Sequence, residues 1–297
     1  MNVVDFENIH RSYQRGTDVL NGVTFDIEAG SVVGLVGKNG AGKTTLLRIA
    51  MGMLEPQQGA VRLFGLDPRR EPLQVKRRIG FVSEDQILPP FLKVEQVLDL
   101  HRSFFPTWDD SIARDLIDRF GIPARTKIKA LSKGQARQVA LLCAVAHKPE
   151  LLLLDEPAAG LDPASRREFL ETSIRLLNET GSTILFSSHY MSDVERLADR
   201  IVMLHEGRVL IDSELDELRE HYSLALVRHN GGTTRATLLS LEGCLGVRDR
   251  SDALHAVFNL EPESTARLLE SELGYADSLC SRIALEDMFV ELAGGQQ

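Results

Sequence analysis

Residues 37–44 carry the strongest chemical signal in the sequence. They read Gly-Lys-Asn-Gly-Ala-Gly-Lys-Thr and fit the pattern GxxxxGK[ST], with an apolar run before them and helically spaced apolar residues after them. Glycines let successive N–H groups turn towards an anion, and the start of the following helix adds partial positive charge. The alternative is an accidental glycine turn, which would not predict these flanks. The segment therefore predicts polyphosphate binding.

Two residues of this segment are expected to act on the phosphates and their metal. Lys43 would reach the β- and γ-phosphates, and Thr44 would ligate Mg²⁺. We accordingly expect a nucleotide with a polyphosphate chain and Mg²⁺ as the ligands. The residues expected to contact the nucleotide here are Gly37, Asn39, Gly40, Ala41, Gly42, Lys43, Thr44 and Thr45.

Two acids follow the all-leucine run at residues 151–154. Such a run is typical of a buried strand, and α/β sheets place ligands at the carboxyl ends of their strands. We expect Asp155 to support the metal and Glu156 to act as the general base on the attacking water. Alone, the two acids would favour a plain polar turn. Beside a phosphate-binding loop they indicate hydrolysis.

His189 stands at the end of a third apolar run. It follows Ile184-Leu185-Phe186 and two serines, so it is expected at a neighbouring strand end, where it can donate to the γ-phosphate. A histidine without this context would be assigned to the surface. The expected catalytic residues are therefore Lys43, Glu156 and His189.

Composition excludes several classes of protein. Of 297 residues, 43% are hydrophobic and 26% are charged, which is typical of soluble globular domains rather than fibrous or disordered chains. The formal net charge of −9 argues against a nucleic-acid partner, which would need a basic face. The longest apolar run, residues 139–146, is too short to cross a bilayer. The N-terminus lacks the pattern of a secretory signal, so we expect a cytoplasmic location. Three cysteines without metal-ligand spacing are expected to be reduced thiols.

The hydrophobic pattern predicts an α/β fold. Alternation over residues 23–27 predicts a half-exposed strand in an N-terminal antiparallel sheet, whereas the runs at 32–36, 151–154 and 183–186 predict a buried parallel sheet. Residues 79–148 carry few strand signals and are expected to form a mostly helical insertion. Helical spacing falls at residues 46–54, 112–120 and 139–146, with a start signal at residues 109–111.

The chain is expected to contain two domains. Residues 1–219 would form the nucleotide-binding domain, with a helical subdomain over about 85–147. In residues 220–297, short strand-like runs alternate with helical runs. This segment would form a small α+β domain whose order of elements is βαββαβ. This second domain contains no chemical constellation and is expected to regulate or to stabilise a dimer.

The sequence resembles the ATP-binding-cassette (ABC) ATPases over residues 1 to about 215. Residues 131–135, Leu-Ser-Lys-Gly-Gln, are similar to the LSGGQ signature, and residues 159–162 are similar to the D-loop. His189 resembles the switch histidine, and Tyr13 stands where the family has an aromatic residue that stacks on adenine. For Tyr13, a surface aromatic on a strand is an equal alternative. The resemblance implies a P-loop NTPase with a RecA-like core.

The resemblance also implies that two cassettes face each other head to tail. Each phosphate-binding loop would close against the signature of the other copy, in a homodimer or a heterodimer with a related cassette. Ser132 and Gly134 lead into a helix, so they would form a second anion-binding helix start. An ordinary helix cap is the alternative. The residues implied to contact the facing nucleotide are Ser132, Gly134, Gln135 and Asp162.

Two positions depart from the family pattern. The place that usually holds glutamine after the strand at residues 79–82 holds Glu84, with Gln86 two residues further on. A carboxylate there can still ligate Mg²⁺, so Glu84 joins Thr44 and Asp155 as an expected metal ligand. Lys133 replaces the first glycine of the signature pair. It adds a cation near the incoming phosphate or is a solvated side chain.

The resemblance is strongest to ABC-2-type exporter ATPases of bacteria, through residues 105–110, 131–202 and 285–289. It implies an ATPase that works with separately encoded transmembrane permease subunits on the inner face of the cell membrane. The helical subdomain is expected to be exposed, and its apolar residues, such as Phe91 and Trp108, would either dock the permease or fill the core of the subdomain. One alternative is a soluble ABC ATPase of translation or DNA repair, but the second cassette or long coiled coil typical of those is not evident. Another is a nucleotide-binding regulator that does not hydrolyse ATP, which Glu156 and His189 disfavour.

Overall fold

The strands form three sheets in the part of the chain that the structure describes. The computed structural model describes residues 1–14, 16–84, 88–228, 234–275 and 279–294, and these divide into two compact units, Met1–Asp212 and Ser213–Gln297. The sequence-based boundary after residue 219 lies seven residues further along the chain. Each unit is described by itself.

The first unit begins with an antiparallel sheet of three strands in the order β2-β1-β4. The first two strands confirm the predicted N-terminal sheet. The third strand escaped prediction because only two of its six residues, Val61 and Leu63, are buried. The bounds are β1 Asn2–Gln14, β2 Thr17–Glu28 and β4 Gln58–Leu63.

A second, six-stranded sheet has the order β5-β6-β7-β3-β8-β9. Neighbouring strands from β5 through β8 run parallel, and every residue of β3, β6 and β7 is buried, as the continuous apolar runs predicted. The bounds are β3 Val32–Val36, β5 Ile79–Val82, β6 Leu151–Leu154, β7 Thr183–Ser188, β8 Arg200–His205 and β9 Arg208–Glu214.

Four of the helices that join these strands matter for the site. Helix α1 follows β3 directly, and α3, α4 and α5 lie between the adjacent strands β5 and β6, which confirms the predicted helical insertion. The predicted start of α4 is confirmed, because Asp109 accepts a hydrogen bond from the Ser111 N–H. The first helix ends at Ala50, so Leu54 lies beyond it. The bounds in this unit are α1 Lys43–Ala50, α2 Pro72–Lys76, α3 Val94–Phe104, α4 Asp110–Phe120, α5 Lys133–Val145, α6 Pro163–Thr180 and α7 Met191–Leu197.

The topology brings three segments to one edge of the sheet. Strands β6, β7 and β3 are consecutive neighbours, and being parallel they end on the same side. The glycine-rich loop follows β3, the two acids follow β6, and His189 follows β7. The predicted site residues therefore lie together at the carboxyl edge, where such sheets bind ligands.

The second unit has the predicted order βαββαβ, followed by a further helix. Its antiparallel sheet has the strand order β11-β12-β10-β13, the arrangement of ferredoxin-like folds. The last helix packs closely against the strand that contains Gly246, because a Cβ built on Gly246 would lie 2.7 Å from Leu292 Cδ2. The bounds are α8 Leu215–His221, β10 Ser223–Arg228, α9 Arg235–Leu239, β11 Cys244–Asp249, β12 Ala253–Phe258, α10 Pro262–Leu273, β13 Leu279–Arg282 and α11 Leu285–Gly294.

No helix among the described residues has both the length and the apolar character that a bilayer crossing requires.

We predict that Gly80→Ala destabilises the first unit. Helix α5 lies so close to β5 that an added Cβ would be 2.3 Å from the Ala144 carbonyl oxygen and 2.7 Å from Leu152 Cδ1. Relief requires a backbone shift, which costs about 1–3 kcal/mol of unfolding free energy. Urea unfolding followed by the fluorescence of Trp108, the sole tryptophan of the sequence, measures this. Gly134→Ala is the control, since its Cβ would make only an ordinary 3.5 Å contact with Leu161. Equal midpoints for the two variants would contradict the close approach.

Candidate functional site

The glycine-rich loop has a shape that only glycine allows at two points. Gly42 precedes α1 with φ +106°, and a Cβ there would lie 2.5 Å from Leu20 Cδ2 and 2.8 Å from the Val19 carbonyl oxygen. A Cβ on Gly37 would lie 2.6 Å from the Leu204 carbonyl oxygen. The loop is therefore packed against β2 and β8, so its curvature is fixed without a ligand.

Lys43, the first residue of α1, is 4% exposed and points back into the loop. Its Nζ donates to the Gly37 carbonyl oxygen at 2.6 Å and to that of Lys38 at 3.4 Å. It also lies 3.2 Å from Glu156 Oε1, in an ion pair whose two side chains are nearly buried. The ammonium is thus held inside the concave side of the loop.

Asp155 accepts two hydroxyl hydrogen bonds at the end of β6. Thr44 Oγ1 donates to Asp155 Oδ1 at 3.0 Å, and Ser187 Oγ donates to the same oxygen at 2.9 Å. Burial raises the pKa of Asp155, while the hydrogen bonds from Ser187 and Thr44 lower it. A buried carboxylate in these surroundings is stabilised by an added cation.

Glu156 is held on several sides. Its backbone has φ +44°, an uncommon value for a residue other than glycine, and its N–H donates to Ser187 Oγ at 2.8 Å. Its Oε2 lies 2.9 Å from His189 Nδ1, and its Oε1 faces Lys43. The carboxylate is therefore placed between the loop lysine and the histidine at the end of β7.

A cavity of about 440 Å³ opens at this point. Every stretch of chain that lines it comes from the first unit, and the lining combines the loop, β1, β2 and the ends of β5, β6 and β7. The lining residues are Tyr13, Val19, Lys38, Asn39, Gly40, Gly42, Lys43, Thr44, Thr45, Glu84, Glu156 and His189. A larger cavity, about 630 Å³, lies around Arg62, Arg69 and Glu55 and shares no residue with this one. We assign the predicted catalytic site to the smaller cavity, because the buried side chains of Glu156 and Lys43 meet there.

Tyr13, the expected adenine-stacking residue, and Glu84, an expected metal ligand, line the same cavity. The Tyr13 ring is 55% exposed, and its hydroxyl lies 3.3 Å from Thr45 Oγ1. An exposed aromatic ring at the rim can stack on a base. Glu84 is an exposed residue just beyond β5. Gly37, Ala41 and Asp155 belong to the adjoining loop and strand end.

The signature residues lie apart from this cavity in the described chain. Ser132 Oγ accepts from the Gln135 N–H at 3.1 Å, and Gln135 Oε1 accepts from the Ser132 N–H at 3.0 Å, a reciprocal cap at the start of α5. Asp162 caps α6 by accepting from the Ser165 N–H. Ser132, Gly134, Gln135 and Asp162 are absent from the lining given above. In the described chain, the signature residues therefore do not contribute to the cavity that the glycine-rich loop lines.

Sequence reasoning missed three kinds of residue at the site. Ser187 bridges Asp155 and Glu156, yet it was noted only as a neighbour of His189. Arg137 donates to main-chain carbonyls after β6 and was not noted at all. Val19 and Lys38 line the cavity. The serine carried a usable signal, its place at a buried strand end, whereas the arginine carried none.

The donor set fits Mg²⁺. Among the described residues, no group of three histidine, cysteine or acidic side chains could hold a metal by itself. Magnesium is usually bound by one or two carboxylates together with substrate phosphates. A buried Asp155 beside the Thr44 hydroxyl, at the mouth of a phosphate-binding loop, is such a partial set.

A parallel sheet, a glycine-rich loop that encloses a lysine, and two acids just after another strand of the same sheet define a P-loop nucleoside triphosphatase. The profile of the family described as "ABC transporter" matches residues 20–159. The chain belongs to the ATP-binding proteins of ABC transporters. It is therefore an ATP-binding subunit with ATPase activity, of a family whose cassettes dimerise and pair with transmembrane permease subunits.

Curated relatives extend this similarity over both units. The daunorubicin/doxorubicin resistance ATP-binding protein DrrA of Streptomyces peucetius is 32% identical and covers 94% of this chain and 89% of its own. The bacitracin transport ATP-binding protein BcrA of Bacillus licheniformis is 28% identical and covers 95% of this chain and 94% of its own. The ABC transporter ATP-binding protein YtrB of Bacillus subtilis is 33% identical over 70% of each chain.

Solved structures match a shorter part of the chain. An ATP-binding subunit of an ABC transporter has a TM-score of 0.65 and 30% identity, and covers 73% of this chain and 92% of its own. The dimeric bacterial ABC transporter cassette MJ0796 has a TM-score of 0.64 and 25% identity, and covers 71% of this chain and 98% of its own.

We predict that Lys43→Met weakens ATP binding about 10- to 100-fold, because charge-assisted hydrogen bonds are worth about 1.5–3 kcal/mol. Fluorescence titration with a labelled ATP analogue measures the affinity. Lys76→Met removes the same charge from an exposed position at the end of α2 and serves as the control. Equal affinities for the two variants would remove Lys43 from the phosphate site.

Proposed function

We propose that the 440 Å³ cavity binds ATP with Mg²⁺ and that the residues around it hydrolyse the γ-phosphate. The observation that carries this proposal is the contact of Glu156 with both Lys43 and His189 at the edge where the glycine-rich loop begins. Lys43 would neutralise phosphate charge, and the loop N–H groups would donate to the phosphate oxygens. Tyr13 at the rim would stack on adenine, and Thr45 would hold its hydroxyl.

Thr44 and Asp155 would hold Mg²⁺, with Glu84 close enough to the same cavity to contribute an oxygen. When bound, the ion offsets the negative charge of the phosphate oxygens. The hydrogen bond between Thr44 and Asp155 supports this assignment, because it already holds the two oxygens 3.0 Å apart.

Glu156 would orient and deprotonate the attacking water. Water oxygen forms a bond to the γ-phosphorus, the bond to the β-γ bridging oxygen breaks, and the water proton passes to the Glu156 carboxylate. ADP and phosphate are the products. His189 holds Oε2 through its Nδ1 contact, which leaves Nε2 to face the γ-phosphate. The contacts with Lys43 and His189 hold the carboxylate in place.

A second copy, identical or from a related cassette, would complete the site. The signature residues form a capped helix start that the cavity of their own chain does not use. Two chains placed head to tail would bring Ser132, Gly134, Gln135 and Asp162 of one to the nucleotide of the other. Hydrolysis removes the γ-phosphate contacts and lets the pair open.

The work of this cycle, we propose, is export by an ABC-2-type transporter with separately encoded permease subunits, at the inner face of the cell membrane. The relatives named for drug resistance and bacitracin transport support this, since their similarity runs through both units. In the helical insertion, Phe91 and Phe104 are 71% and 64% exposed. They would form the face that receives the permease, whereas Trp108 is half-buried.

We predict that Glu156→Gln reduces turnover about 100-fold or more while ATP-bound dimers accumulate, because the variant keeps the shape of the site but loses the base. Phosphate release measures turnover, and size-exclusion chromatography with light scattering, in Mg²⁺ and ATP, measures dimer mass. Glu28→Gln loses the same charge at the exposed last position of β2 and should match the unchanged chain. Undiminished phosphate release by the Glu156 variant would refute its role as base.

We predict that the tagged chain, purified from detergent-solubilised membranes of its native cells, carries an integral membrane protein in fixed stoichiometry. Replacing both Phe91 and Phe104 with Glu should abolish this association and leave ATP binding intact, because the charges oppose apolar docking. Leu73→Glu, at an equally exposed site on α2, is the matched control. Mass spectrometry of the eluates identifies the membrane protein and measures its amount relative to the tagged chain. A membrane protein retained by the double variant would exclude this docking face.

A further inference from the structure

Arg137 binds main-chain oxygens of two different loops. It lies one turn into α5, is half-buried, and projects towards the carboxyl ends of β5 and β6. Its Nη1 donates to the Glu156 carbonyl oxygen at 3.0 Å and also to that of Pro157. Its Nη2 donates to the Glu84 carbonyl oxygen at 3.1 Å. One guanidinium thus joins the start of α5 to the backbone on both sides of the cavity.

The Glu156 peptide needs such support. With φ +44° it occupies a region that costs about 1–3 kcal/mol and persists only where the surroundings enforce it. Ser187 holds its N–H and Arg137 holds its C=O, so the two ends of the residue are fixed by different elements. A fixed backbone sets the direction of the Cα–Cβ bond of Glu156, from which the carboxylate extends to Lys43 and His189.

The position of α5 gives this contact a functional meaning. The same helix starts at Ser132 and Gly134, which would face the nucleotide of the second copy. A movement of the helix start would be transmitted by Arg137, within one helical turn, to the peptide of Glu156 and to Glu84. No contact between Ser132 and the acids of its own chain is required for this.

We propose that Arg137 is a positioning residue that sets the aim of the Glu156 carboxylate and couples it to the start of α5. This inference rests on the proposed role of Glu156 in hydrolysis. Arginine suits the task because its planar guanidinium offers five N–H donors in a fixed fork. A lysine ammonium at the same place is a compact point donor that cannot span the carbonyl oxygens of Glu84 and Glu156 together.

The test compares Arg137→Lys and Arg137→Met with the unchanged chain by steady-state ATPase kinetics. We expect kcat to fall about 10- to 100-fold in both, because a misaimed group loses rate without losing substrate binding. KM for ATP and the Kd of a labelled ATP analogue should change by about twofold or less. The lysine variant keeps the charge, so its loss of rate separates the fork geometry from electrostatics.

Two controls distinguish positioning from general damage. Arg119→Lys and Arg119→Met change an exposed arginine of α4 that pairs with Asp115, and should leave kcat unchanged. In a Glu156→Gln background, adding Arg137→Lys should reduce the remaining rate no further, because both changes act through one carboxylate.

The outcomes separate the two proposals. If the unchanged chain hydrolyses ATP and Glu156→Gln abolishes this, but Arg137→Lys retains full kcat, the positioning role is refuted and the proposed function stands. Equal losses in kcat and in ATP affinity, or a further loss in the Glu156→Gln background, would make Arg137 merely structural and would also refute it. Unchanged turnover in Glu156→Gln would refute the proposed function itself.

Discussion

The ion pair between Lys43 and Glu156 is the interaction on which the site depends. Both side chains are nearly buried, so each has lost most of its hydration, a cost of several kcal/mol per ion that a single attraction rarely recovers. The remaining compensation comes from carbonyl oxygens of the loop around Lys43 and from His189 beside Glu156. Burying this ion pair is therefore costly. A triphosphate that enters the cavity offers the Lys43 ammonium a more highly charged partner.

The sheet makes this concentration of charge possible. Three buried parallel strands end side by side, and their apolar residues hold the ends rigid while the polar residues just beyond them remain available. Glycine at positions 37 and 42 lets the loop pack against β2 and β8, and Gly80 lets α5 lie close to β5. Backbone packing of this kind, rather than side-chain contact alone, sets the distances within the site.

The features predicted from the sequence are those formed by residues close together in the chain. The glycine-rich loop, the acids after the leucine run and the βαββαβ order are contiguous in sequence, so periodicity and motif spacing were sufficient. The contact of Ser187 with Asp155 and that of Arg137 with Glu84 span 32 and 53 residues, so these partners could not be predicted without knowing which strands become neighbours. Strand β4 was missed for a related reason, since its two buried residues gain meaning only beside β1.

The reciprocal cap at the start of α5 has a genetic consequence. A serine hydroxyl that accepts a hydrogen bond through a lone pair keeps its own proton to donate, so Ser132 can serve the helix and a second molecule at once. Under the proposed function, capping and nucleotide recognition would share this one oxygen atom. Alleles at this codon would then be pleiotropic: loss of the hydroxyl would destabilise the helix start by about 1 kcal/mol and remove a nucleotide contact together, and substitution by alanine could not separate the two defects.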